Sequence, residues 1–181
     1  MIFGSDIIVY KSYAKATGIS SHIDPYINSV FLPLKIMSSR TKGAVSEQIF
    51  EEYATKHGLI VAKASNSNHD RTINGIKIEI KCSFIWKDGK FRFQQIRTDQ
   101  DYDIMVFMSV FPDRIEFHQA NKQTIKENLE KQDADGSWHQ NQHGGKKINS
   151  GTFFFDCYLT HFPLGWMKPL DFDVFQPKPV V

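Results

Sequence analysis

Asn74-Gly75 stands between two stretches of alternating apolar and polar residues, and no other dipeptide restricts the fold of this chain as much. Asn-Gly accepts positive φ at both central positions of a turn, so it closes a two-residue type I′ hairpin. Closed that way, Ile73 faces Ile76 and Asp70 lies directly opposite Glu79. Opposed residues share a sheet face with Cβ atoms about 4.5–5.5 Å apart. Lys81 then projects from the same face, about 6.6 Å further along the strand. Two carboxylates and an amine converge on one patch.

Opposed like charges destabilise a sheet, and two carboxylates about 4 Å apart repel by roughly 4 kcal/mol at an effective dielectric of 20. A divalent cation offsets that cost. Mg²⁺ is held by one or two carboxylates plus waters and substrate phosphate oxygens, which leaves it open to a nucleic-acid backbone. A metal so placed acidifies a water and neutralises a leaving oxygen, while an ammonium holds the attacking water or a phosphate oxygen. The same letters also describe an ordinary half-buried strand, in which Ile76, Ile78, Ile80 and Cys82 alternate with Lys77, Glu79, Lys81 and Ser83. Both readings stay open at the level of the strand.

The order of elements resembles a known family. From Lys42 to about Phe117 the chain is similar to the core of the PD-(D/E)xK nuclease superfamily, home of the restriction endonucleases: a helix bearing a glutamate, a strand, then a hairpin with Asp and, later, Glu-x-Lys. His69 stands where the family name has proline. The resemblance implies an α/β (α+β) fold with a central mixed β-sheet flanked by helices. It implies Mg²⁺-dependent cleavage of double-stranded DNA at a short site, as by a type II restriction enzyme, with Mn²⁺ able to substitute. Asp70, Glu79 and the intervening Ile80 would hold the metal, Lys81 would position or activate water, and Glu47 and Gln94 would assist. Two-fold protein symmetry matching two-fold DNA symmetry makes a homodimer the expected state. A structure-directed repair or junction-resolving nuclease would use the same residues, and a DNA-binding protein without catalysis would carry them as a surface ion network.

Composition sets bounds. With 181 residues, 41% of them hydrophobic, one domain with a full core is expected: an arm or cap over 1–41, a catalytic core over 42–118, and a C-terminal helix, loop and strand over 119–181. No stretch approaches the roughly 18 apolar residues of a membrane span, and Met1 to Asp6 lacks the basic and apolar regions of a signal peptide, so a cytoplasmic protein without membrane contact is expected. Cys82 and Cys157 have no Cys-x-x-Cys spacing and read as buried free thiols. A net charge of +2 excludes an argument from bulk charge. A phosphate-tracking surface would have to be assembled from local groups: Lys35, Arg40 and Lys42 before the core, and Lys87, Lys90, Arg92 and Arg97 around a second hairpin.

Tyr10 to Gly18 reads as a possible short helix, and Asp24-Pro25 and Leu32-Pro33 as loop or turn. Thr41 to His57 is expected to be helical, with Val45, Ile49, Phe50, Tyr53 and Ala54 on one stripe and Gly58 as its stop. Glu47 lies just beyond one edge of that stripe and can look toward the site, whereas Glu51 lies furthest out. A strand over Leu59–Ala62 and the polar loop Ser65 to His69, with Asn68 a candidate DNA contact, lead into the Asn-Gly hairpin. A two-residue turn at Asp88-Gly89 would place Ser83 opposite Gln94 and Lys81 opposite Ile96, putting Gln94 on the face of Lys81. A bulge at Lys87 to Lys90 would exchange Gln94 and Gln95. The apolar run Ile104–Phe111 fits a central strand buried on both faces. Arg114–Phe117 follows as a strand, Lys122–Lys131 as a helix and Thr152–Leu159 as a last strand, with the proline-bearing tail from Gln176 disordered. The polar segment Asp133 to Ser150 is too long for an ordinary connection, and its Gln140, Asn141, His143, Lys146 and Lys147 are the kinds of side chain that read base edges and phosphates.

Overall fold

Residues 24–130 and 152–176 are described by a computed structural model, which builds the chain around a six-stranded mixed sheet. The Asn-Gly turn forms as its chemistry dictates: Asn74 and Gly75 have φ of 50° and 83°. It joins β2 (Arg71–Ile73) to the long strand β3 (Ile76–Phe84), with Ile73 opposite Ile76 and Arg71 opposite Ile78. β1 (Val61–Lys63) lies antiparallel on the outer side of β2. Across the other edge of β3 lies β5 (Ile104–Val110), running parallel to it, as befits a nearly continuous apolar strand in the middle of a sheet. β6 (Ile115–Asn121) and the two-residue β8 (Lys168–Pro169) complete the order β1-β2-β3-β5-β6-β8.

Two short helices, α1 (Leu32–Ile36) and α3 (Lys122–Leu129), accompany the long α2 (Ser39–Lys56). Leu32-Pro33 is not a turn but opens α1, because proline's fixed φ suits a first helical turn whose N–H groups have no intrahelical partner anyway. Ser38 caps α2 by accepting from the Thr41 N–H, and Gly58, at φ 80°, ends it in the left-handed conformation. Phe50 and Ala54 of α2 press on Ile73, Ile78, Ile80 and Val106, which form the core on one face of the sheet. Tyr53 stays partly exposed and stacks on Phe117.

The opposite face is covered by a second layer. β4 (Lys90–Arg97) leaves the main sheet and pairs with β7 (Thr152–Tyr158), and Phe91, Phe93, Phe153 and Phe155 pack from this ribbon onto Phe107 and Met105. Tyr26 ties the start of the described chain to this core: its hydroxyl donates to the Val110 carbonyl and accepts from the Ile85 N–H. Cys82 and Cys157 are free thiols. The architecture is therefore α/β, with a central mixed sheet flanked by α2 on one side and by the β4–β7 ribbon, with α3 packed beside it, on the other. Among the described residues no helix is long and apolar enough to cross a membrane. The possible helix Tyr10–Gly18, the tail beyond Gln176 and the whole 133–150 loop lie outside the described residues.

Candidate active site

β2 stops pairing with β3 one residue before Asp70 would face Glu79. Arg71 is the last ladder partner, opposite Ile78, and the Asp70 N–H donates to that same Ile78 carbonyl at 2.9 Å. Two residues thus stand against one, the arrangement of a β-bulge, which re-aims a side chain at the end of a ladder. The direct Asp70–Glu79 opposition expected from the turn is corrected accordingly. Instead the Asp70 carboxylate turns into the gap left by β2 and accepts the Ile80 N–H at 2.7 Å. The N–H and C=O of one strand residue leave toward the same side, so the Ile80 carbonyl is directed to this same edge.

Glu79 and Lys81 project from β3 on the face opposite to Ile78 and Ile80. Lys81 Nζ lies 2.7 Å from Glu79 Oε1, and their side chains keep only 17% and 8% of their surface exposed. On the helix side, Arg71 points back to α2: its Nη1 donates to Glu47 at 2.8 Å and its Nε to Glu51 at 2.9 Å. The same Nη1 also donates to the Asp70 carbonyl. Glu51, furthest out on the helical wheel, nonetheless reaches this cation.

Burial dominates the electrostatics. It pushes the Asp70 carboxyl above its ordinary range, against the opposing pull of the Ile80 N–H, Lys81 and Arg71. Glu79 is raised for the same reason, offset by Lys81 and reinforced by Asp70 and Glu47. Glu47 is raised by burial and by the Asp70 charge, in spite of Arg71. Burial, and for Glu79 and Glu47 mutual repulsion as well, therefore disfavours the charged forms of these three carboxylates. Among the described residues no three His, Cys, Asp or Glu side chains group closely enough to hold a metal ion between them. The donors near one another are the Asp70 carboxylate, the Glu79 carboxylate that it repels and the Ile80 carbonyl, all hard oxygens. That set fits a small hard cation that keeps most of its waters, and not a closed protein cage.

The other candidates are dispersed. The second hairpin does not have the two-residue turn expected of it. Ile85 bridges Phe91, the Trp86 N–H donates to the Lys90 carbonyl, and Gly89 sits at φ 74°, so three residues make the turn. Ser83 consequently meets the Arg92 backbone, bonding both its N–H and its carbonyl through Oγ, instead of meeting Gln94. Gln94 and Gln95 lie exposed in a bulge of β4 opposite Phe154, with Gln95 at φ 55°. Gln94 is therefore not set on the face of Lys81 by hairpin pairing. Arg92 binds Asp156 through two bonds of 2.6 and 2.9 Å, Lys90 binds Asp88 and Asp156, and Arg97 pairs with Asp99. Most of the positive charge expected around this hairpin is thus neutralised within the chain. Lys42 lies over the Phe84 ring, Arg40 is exposed in the first turn of α2, and Asn68 is exposed with its N–H bonded to the Asn66 side chain. Gln140, Asn141, His143, Lys146 and Lys147 lie outside the described residues.

Arg71 is the site residue that the sequence reading passed over. Its signal was available: it alternates with Ile73 on a core face, where a charge requires a partner, and Glu47 and Glu51 stand one helical turn apart. No family model and no curated protein matches the sequence. Among solved structures, that of a bacterial homing endonuclease is similar over 49% of this chain and 68% of its own, at 22% identity and a TM-score of 0.38, a likeness too distant to bear on activity.

Proposed function

We propose that this chain is a Mg²⁺-dependent endonuclease of the PD-(D/E)xK type that hydrolyses double-stranded DNA at a short site, as type II restriction enzymes do. The observation that carries the reading is the meeting of Asp70, Glu79 and Lys81 at the edge of β3 vacated by β2, with the Ile80 carbonyl directed the same way. Asp70, Glu79 and the Ile80 carbonyl would hold the metal, which when bound supplies an acidified water and charge neutralisation at the phosphate. Lys81, held by Glu79 at 2.7 Å, would orient the attacking water or a phosphate oxygen. Glu47 assists from the helix through its contact with Arg71, beside Asp70. We leave Gln94 out of this assignment, since Ser83 meets the Arg92 backbone and not Gln94. Arg40, Lys42 and Asn68 remain candidates for DNA contacts, together with the 133–150 segment, and a homodimer acting on a two-fold site is part of the same proposal.

The test is incubation of the purified protein with plasmid and genomic DNA in Mg²⁺. Discrete fragments support site-specific cleavage, a smear supports a nonspecific or structure-directed nuclease, and intact DNA at every Mg²⁺ and Mn²⁺ concentration refutes the reading. Lys81→Ala and Asp70→Asn are expected to abolish cutting, and full activity in Lys81→Ala would show that the residues are wrongly assigned even in a protein that cuts.

A further inference from the structure

Four carboxylates and two cations make up the site: Glu47, Glu51, Asp70 and Glu79 against Arg71 and Lys81. The two cations are not equivalent. Lys81 lies with Glu79 on one face of β3, whereas Arg71 lies on the helix face, its side chain 5% exposed, with Glu47 and Glu51 both in contact. Arg71 Nη1 reaches Glu47 and the Asp70 carbonyl at 2.8 Å each, so a fixed positive charge sits beside Asp70 on the side where Glu47 would offer its oxygens. A guanidinium does not lose its proton in a protein, so this charge is permanent.

Two-metal phosphodiester cleavage needs two ions about 3.5–4 Å apart, each with carboxylate oxygens of its own. Beside Asp70 the carboxylates a second ion would use each already give one oxygen to Arg71. Over these six side chains two negative charges are then left over, the charge that one divalent cation balances, with Lys63 acting on Glu47 from outside the set. We infer that Arg71 stands in for a second metal ion, so that the site takes one divalent cation per chain, on Asp70 and Glu79. This rests on the metal-dependent reading above and deepens it. Glu47 and Glu51 are on this account positioning residues that hold the guanidinium, and not metal ligands.

The experiment counts bound Mn²⁺ on the full chain by calorimetric titration and by electron paramagnetic resonance, with no DNA present. One Mn²⁺ per chain is expected in the wild type and in Glu47→Gln, and binding at least ten-fold weaker in Asp70→Asn. Two Mn²⁺ in the wild type, or loss of the Mn²⁺ site in Glu47→Gln, overturns the inference and leaves the metal-dependent nuclease standing. No Mn²⁺ in the wild type overturns both. Arg71→Gln frees Glu47 and Glu51 and is expected to take a second Mn²⁺; a folded Arg71→Gln chain that takes only one overturns the stand-in role. If Arg71→Gln does not fold, the wild-type and Glu47→Gln counts decide.

Discussion

Replacing Lys81 with methionine tests the site at the level of stability as well as chemistry. Methionine keeps most of the length and apolar stem of lysine and removes only the charge. Glu79 loses the ammonium 2.7 Å away and remains 8% exposed beside Asp70, so its charge stays buried without a partner. Breaking a buried pair from one side costs 3–5 kcal/mol, and the 17% exposure of Lys81 places this case at the low end, about 3 kcal/mol. For a chain of this size that corresponds to a melting temperature lower by roughly 6–12 °C. Adding Glu79→Gln removes the stranded charge, so the double variant is expected to regain at least ~1 kcal/mol relative to the sum of the single ones. Urea unfolding at neutral pH measures all four corners of the cycle, and plasmid cleavage run in parallel is expected to fall by about 10²–10³-fold for Lys81→Met. A Lys81→Met chain within about 0.5 kcal/mol of the wild type, with no coupling to Glu79, would refute the buried-pair argument.

Raised carboxyls give a definite pH dependence. Asp70, Glu79 and Glu47 bind their protons more tightly folded than unfolded, so they add stability below the ordinary carboxylate range, and that contribution disappears as pH climbs through their raised folded values. Urea unfolding from pH 4 upward is expected to show this decline, and Asp70→Asn to flatten it; an unchanged profile in Asp70→Asn would count against a strained site. Phe107 is fully buried and contacts the rings of Phe93, Phe155 and Trp166, so Phe107→Ala is expected to cost about 3–5 kcal/mol in the same assay. Arg92→Ala breaks the two-bond pair with half-exposed Asp156 and is expected to cost about 1 kcal/mol. A loss of DNA affinity in Arg92→Ala with no loss of stability would return Arg92 to the interface.

The sequence alone determined the elements whose signals are local. Asn74-Gly75 fixes its own turn because only residues tolerant of positive φ close it, and the run from Ile104 names a buried strand because Ser109 alone interrupts its apolar side chains. Helix α2 was legible from its stripe and from Gly58, and the nearness of Asp70 to β3 from its spacing around the turn. Only the tertiary structure decided the rest. The bulge at Asp70 follows from the side chain taking the Ile80 N–H, a choice made where β2 runs out of partner. The surroundings of Gln94 turned on β4 leaving β3 for β7 after the Ile85–Phe91 bridge and on the bulge at Gln94 and Gln95. The fate of Arg71 and Arg92 was settled by acids 20 to 64 positions away in the chain, and no local pattern reports which distant carboxylate a cation will meet.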